Sequence, residues 1–363
     1  MKICFLAPAN SIHSFRWIKY FADKDHEVHW ISMHPLDFNI PSNIKYYEFS
    51  HKNWFWNFFS IVKKVRNLIK KIQPEILHIH SVAVYGTVGI LSGFHPVIAT
   101  AWGSDILVSG RLFWRKPLLK ITLKKVDLIT CDADHLIETM KNLGITQNKI
   151  QLVYFGIDTK VFSPEKINKI LKTSLELNGS VTVISLRNLY PIYNVELLIE
   201  AIPFVVSEYS KVKFIIAGSG SEKQKLEALA LSKGIMSNVK FIGKIPNEKL
   251  PYYLRLSDIY VSTSLSDAGI ASSTAEAMSC GLPVVVTDSG ENRIWVKENK
   301  GGFVVPVNSP EKLAQRILAL IRDKKMRLKY GRFNRQMILE NNNYYTQMNM
   351  MEKIYKNVYE RNN

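Results

Sequence analysis

Short, nearly unbroken apolar runs punctuate the first half of the chain at 2–8, 26–32, 76–80, 97–101, 128–131 and 151–154. Between them apolar residues return every three or four positions, the period of a helix with one buried face. A strand that is apolar on both faces belongs to a parallel sheet covered by helices, because a sheet with one wet face alternates. The second half repeats the scheme at 181–186, 213–217, 239–242, 259–262, 283–287 and 302–305. Alternating strands and helices predict an α/β chain of parallel sheets with right-handed crossovers, and two such series predict two Rossmann-like units. At 363 residues the chain is long enough for a core in each.

The periodicity breaks at Phe155-Gly-Ile-Asp-Thr-Lys-Val-Phe-Ser-Pro164, ahead of a polar, lysine-rich stretch, which predicts units at 1–164 and 165–344. The one long uncharged run, 81–104, contains Gly86, Gly89, Gly93, His95 and Pro96, and these break it into pieces too short to span a membrane. The opening Met1-Lys-Ile-Cys-Phe-Leu reads as a first buried strand rather than a leader. Cys4, Cys131 and Cys280 sit among apolar or small residues without paired spacing, the usage expected of a reducing, cytoplasmic setting.

Charge adds a second feature. Lysine and arginine number 48 against 31 acidic residues, a net charge of +17. Twelve of those cations lie between 51 and 125, where Glu75 and Asp105 are the only carboxylates, so this region is expected to meet a polyanionic surface. Within it, Trp54, Phe55, Phe58, Val62, Val65 and Ile69 recur at helical spacing with cations between them. That stripe serves the core of the unit. Its aromatic start, with the similar Arg111-Leu-Phe-Trp-Arg-Lys116, also suits peripheral contact with an anionic membrane. Charge alone would admit nucleic acid, but no nucleic-acid-binding module is recognisable, so none is expected as a partner.

Candidate chemistry is sought at the carboxyl ends of the strands, where open parallel sheets bind ligands. The segment 265–287 reads as a small-residue loop, a helix, a glycine stop and a buried strand. Gly269, Ile270, Ala271, Ser272 and Ser273 can leave backbone N–H groups free at the helix start, where the dipole favours a phosphate. Glu276 follows about one turn later, within reach of a ribose whose hydroxyls donate to one carboxylate. An ordinary helix cap with a solvent-facing glutamate has the same spacing. Arg187, directly after the run at 181–186, is either a charged fork for a diphosphate or a surface salt bridge. Gly218 and Gly220, after the run at 213–217, admit a ligand's close approach or simply make a tight turn.

In the first half, His13 stands at a helix start after the first strand, as an acceptor contact or an ordinary polar terminal residue. His78 and His80 lack a third ligand at zinc spacing, and Asp132-Ala-Asp134 falls in a strand-to-helix turn, so no metal is expected.

The run Ala275-Glu-Ala-Met-Ser-Cys-Gly-Leu-Pro-Val-Val285 resembles the donor-site signature of the retaining family 4 glycosyltransferases. Their GT-B fold has two Rossmann-like domains whose parallel sheets face each other across a cleft. The segment 155–164 is similar to the family's interdomain motif, and the helical tail at about 345–363 would cross back onto the first domain. The resemblance implies that Glu276 binds the donor's ribose. The family's first glutamate column falls on Ala268, leaving Asp267 beside it as the candidate for contact with donor-sugar hydroxyls. Arg187-Asn-Leu-Tyr-Pro-Ile-Tyr-Asn-Val-Glu-Leu-Leu-Ile199 resembles the strand, loop and helix carrying a diphosphate-binding arginine and lysine. Asn188 and Tyr193 occupy those two columns, and Arg187 fits the first after a one-residue shift.

By the same resemblance, the main chain of Ile245 meets the nucleobase. Thr100-Ala-Trp-Gly-Ser-Asp105 stands where the family shows a His-Gly pair, so Trp102 replaces the histidine, stacking on a sugar or filling the core. Asp105 holds an acceptor hydroxyl or caps the next helix. The implied activity is metal-independent, retaining transfer of a hexosyl unit from a nucleotide diphosphate sugar to a lipid-linked or polysaccharide acceptor at the cytoplasmic membrane face. A nucleotide-sugar epimerase of the same fold and an inactive nucleotide-binding relative are the alternatives.

Overall fold

The apolar runs of the first half become one parallel sheet in the computed structural model, which describes residues 1–37, 39–49, 57–107, 115–267 and 269–362. Its strands are β1 (Lys2–Leu6), β2 (Glu27–Ser32), β3 (Ile44–Glu48), β4 (Ile76–His80), β5 (Val97–Ala101), β6 (Leu128–Cys131) and β7 (Ile150–Leu152). They lie in the order β3-β2-β1-β4-β5-β6-β7. Every residue of β4 and β5 is buried, which is why these stretches read as continuous apolar runs. The edge strand β3, Ile-Lys-Tyr-Tyr-Glu, is mostly accessible, and its polar residues hide it from the apolar pattern.

Residues 157–344 form a second sheet from β8 (Val181–Ser185), β9 (Val212–Ala217), β10 (Val239–Gly243), β11 (Ile259–Ser262), β12 (Val284–Thr287) and β13 (Gly302–Val305). The order is β10-β9-β8-β11-β12-β13, again with parallel pairs. Leu198, Ile202, Phe214, Ile317 and Leu320 belong to its core. In each sheet the winding reverses beside the first strand, between β1 and β4 and between β8 and β11. A doubly wound sheet leaves a crevice at that reversal.

The contacts divide the chain into Met1–Gly156 with Tyr345–Asn363, and Ile157–Tyr344. The join therefore precedes the expected position 164. Arg335 fastens the intervening segment to the second unit, donating from Nη1 to Phe162 O (2.7 Å) and from Nη2 to Thr159 O (2.8 Å). The same Nη1 donates to the carbonyl and hydroxyl oxygens of Ser279, each at 2.9 Å. Arg255 adds bonds to Val161 O and Ser163 O. The last helix, Tyr344–Asn362, packs on the first unit, where Tyr20 Oη donates to Asn349 Oδ1 (2.6 Å) and Tyr355 Oη pairs with His78 Nδ1 (2.5 Å).

The basic stripe forms the helix Phe58–Ile72, which buries Ile61, Val65, Ile69 and Ile72 and leaves Phe59 exposed. Residues 54–56 and 111–114, which carry most of the aromatic surface expected to touch a membrane, lie outside the described residues. No described helix is long and apolar enough to cross a membrane.

Candidate functional site

β8 and β11 are neighbours in the second sheet, so the loops leaving their carboxyl ends emerge side by side. Arg187 lies on the first loop and Asp267 on the second. Their ion pair closes at 2.5 Å between Nη2 and Oδ1, with both side chains only 9% exposed. Arg187 Nη1 also approaches Ser273 Oγ at 3.4 Å, and its Cζ sits 4.4 Å from the centroid of the Tyr193 ring, a cation–π contact.

Backbone contacts hold these loops in register. Thr263 Oγ1 donates to Tyr193 O (3.1 Å) and the Leu265 amide donates to Ile192 O (2.9 Å). Asn194 takes a left-handed conformation (φ 45°) that turns the chain into the helix Val195–Glu208. Gly218 and Gly220 brace the arginine loop from the other side. A Cβ on Gly218 would stand 2.5 Å from Arg187 O, and one on Gly220 would stand 2.1 Å from Leu189 O. The absence of a side chain at both glycines thus permits a loop-to-loop contact within this chain. Ile245, expected near a nucleobase, has a buried side chain just beyond β10.

The helix Ser272–Ser279 begins after Ala271, whose extended backbone offers no side-chain cap. Gly269, Ile270 and Ala271 are buried, whereas Ser272 and Ser273 are half-buried at the helix mouth. Glu276 is buried rather than solvent-facing. Ala268 lies outside the described residues. Tyr260 Oη shares a 2.8 Å hydrogen bond with Ser273 Oγ, tying the helix start to β11. Nothing in the sequence marks this tyrosine, since it sits within an apolar run.

Burial holds the Asp267 carboxyl above its ordinary range, while Arg187 opposes the shift. Among the described residues, Arg187 Nε and Asp267 Oδ2 have no hydrogen-bond partner. The centre thus presents a desolvated guanidinium, donors to spare and an uncapped helix start.

At the reversal of the first sheet the chemistry differs. Ser11 Oγ caps the helix Ile12–Ala22 by accepting from the Ser14 amide, and Ser14 Oγ pairs with His80 Nδ1 at 3.0 Å. His13 lies 5.9 Å from Trp102 and 5.5 Å from Phe155 between ring centroids. His80 meets Trp17 and Trp102 nearly at right angles, at 5.6 and 5.5 Å. Burial lowers the His80 pKa to about 3 and that of His13 to about 4, with Arg16 adding to the latter. These imidazoles are neutral. Trp102 Nε1 has no hydrogen-bond partner among the described residues.

Asp105 is not free for an acceptor. Its Oδ2 accepts from the Val82 amide (2.8 Å), and its Oδ1 from the amides of Trp102 and Ile106 (both 3.1 Å), so it braces the loop after β5. Among the described residues no group of three or more His, Cys, Asp or Glu could hold a metal ion.

Two doubly wound units, one with a buried ion pair and an uncapped helix start at its reversal, have the architecture of the GT-B fold. The model for glycosyl transferases group 1 matches residues 166–337, and that for glycosyl transferase 4-like domains matches residues 2–133. By these two matches, which together take in most of its length, the chain belongs to this glycosyltransferase family. It is 26% identical over 253 residues to an uncharacterized glycosyltransferase, MJ1069, of Methanocaldococcus jannaschii, covering 69% of this chain and 62% of that protein. It is also 26% identical over 256 residues to the phosphatidylinositol N-acetylglucosaminyltransferase GPI3 subunit of Saccharomyces cerevisiae, covering 68% of this chain and 56% of that protein. The matched regions thus span less than two thirds of either relative. The fold is similar to the crystal structure of Anabaena Alr3699/HepE in complex with UDP, with TM-score 0.86, 18% identity, and 98% and 100% of the two chains covered.

Proposed function

We propose that the protein is a retaining glycosyltransferase that moves a hexosyl unit from a nucleotide diphosphate sugar to a lipid-linked or glycan acceptor. The observation that carries this reading is the buried Arg187 guanidinium beside the uncapped start of the helix Ser272–Ser279, with Glu276 buried one turn inside. As the glycosidic bond breaks, negative charge develops on the departing diphosphate. A guanidinium and backbone N–H groups already desolvated at that place stabilise it without reorganisation. Glu276 anchors the ribose, and Asp267 orients the sugar through its hydroxyls. No metal is assigned to the reaction.

A UDP-bound neighbour of the same fold supports a nucleoside diphosphate as the guest, and a phosphatidylinositol-modifying relative supports a lipid acceptor. The cationic outer face of the helix Phe58–Ile72 supports peripheral attachment to an anionic membrane on its cytoplasmic side. A thermal-shift screen with UDP, GDP and ADP tests the donor site. A ligand at about a hundred times its Kd stabilises the native state by about 2.7 kcal/mol. No shift with any of the three overturns the donor-site reading. Incubation with the matching nucleotide sugar alone separates transfer from epimerisation, since an epimerase converts the donor without an acceptor. Sedimentation with anionic vesicles at low salt tests the membrane contact, and failure to co-sediment refutes it.

A further inference from the structure

The Arg187–Asp267 pair is buried, and among the described residues Arg187 Nε and Asp267 Oδ2 have no partner at full hydrogen-bond geometry, although the Ser264 side chain lies near enough to act on the Asp267 carboxyl. Taking two ions out of water is costly, and their attraction repays this only when the geometry is good and the remaining donors and acceptors are satisfied. The arrangement is therefore a poor device for stability. Tyr193 covers one face of the guanidinium, and the Ser273 contact is long at 3.4 Å, so the fork keeps donors available in its own plane. A diphosphate offers more charge and more acceptor oxygens to such a fork than one carboxylate does.

We propose that Asp267 is the resident counter-ion of Arg187, which the donor's diphosphate displaces, and that its release disfavours a bare nucleoside diphosphate relative to a sugar-bearing donor. This rests on the donor-site reading given above. The displaced carboxylate stands beside an incoming anion, and hydroxyl donors on the sugar compensate that repulsion. The reaction product lacks the sugar, so Asp267 works against its retention and promotes its release. Before donor binding, the same carboxylate neutralises a guanidinium that would otherwise be left buried and unpaired.

Calorimetric titration of UDP into the wild type, Asp267→Asn, Arg187→Gln and the double variant tests this, with UMP as the control lacking the second phosphate. Asp267→Asn is expected to bind UDP about tenfold more tightly than the wild type and to change far less toward UMP. In the Arg187→Gln background the same substitution should bring no gain. A crystal of the wild type with UDP gives a readout independent of any variant's folding. Separation of Arg187 Nη2 from Asp267 Oδ1 beyond about 4 Å, with the fork on the diphosphate, is the expected result. An intact ion pair with UDP bound, or UDP binding by Asp267→Asn no tighter than by the wild type, overturns the counter-ion role alone. Absence of UDP, GDP and ADP binding to the wild type overturns this role together with the donor-site reading.

Discussion

The two sheets reverse their winding in the same way, yet the side chains gathered at the two reversals are opposites. Beside β8 and β11 lie a guanidinium and a carboxylate, both nearly sealed from water. Beside β1 and β4 lie His13, His80, Trp17 and Trp102, an aromatic cluster whose histidines burial keeps uncharged. All nine histidines precede residue 136, and the second unit has none. Topology therefore fixes where a site forms and leaves its chemistry to the loops. Fixed charge suits an anion, whereas neutral rings with a spare N–H suit hydroxyl-bearing groups.

The contrast breaks most directly at the arginine. Arg187→Ala should lower turnover by about a hundredfold to a thousandfold with an unchanged circular dichroism spectrum, and near-normal turnover would remove the charged centre from the mechanism. Next in size is Gly220→Ala, whose new methyl would collide with Leu189 O. We expect a loss of about 3 kcal/mol in urea unfolding, together with weaker UDP binding because the arginine loop must shift.

pH acts on the first unit through its buried histidines. His13 and His80 have pKa values lowered by folding, so between about pH 6.5 and 4 the unfolded chain binds more protons. Their contribution is complete above the unfolded value and is lost as pH falls toward the folded values. Stability of the first unit should therefore drop by up to about 1.4 kcal/mol per pH unit for each such histidine, and His80→Phe should flatten the slope. Six of the seven tryptophans precede residue 115, so intrinsic fluorescence reports this unit. A slope unaffected by His80→Phe would contradict the assignment. The smallest expected effect is at Tyr193. Its replacement by Leu should weaken UDP binding about fivefold, and Phe should preserve it, because the ring face rather than the hydroxyl meets Arg187.

The fold was largely legible because a sheet buried on both sides writes itself as apolar runs. The edge strand β3 escaped because its exposed Lys45 and Glu48 follow no such rule. The places of Arg187 after a strand and of Glu276 inside a helix were readable, as was the burial of the strands around them. For Asp105 and the two glycines the sequence held a ligand role and a structural one side by side, since each answers in part to a partner distant in sequence. Val82 precedes Asp105 on another loop, and the backbone of Leu189 meets Gly220 only after folding. The ion pair itself was invisible for the same reason, although both members had been singled out for other roles.

Arg335 reinforces a junction at which Ser279 Oγ itself donates to Phe162 O. One guanidinium grips Thr159 and Phe162 on the connecting segment and Ser279 at the far end of the helix that begins beside Arg187. A load applied along that helix must either stretch these bonds or travel into the connector. Amide hydrogen exchange at 159–163 should consequently register a nucleotide at the helix mouth, and Arg335→Met should weaken that echo, most at Thr159, while leaving the mouth occupied.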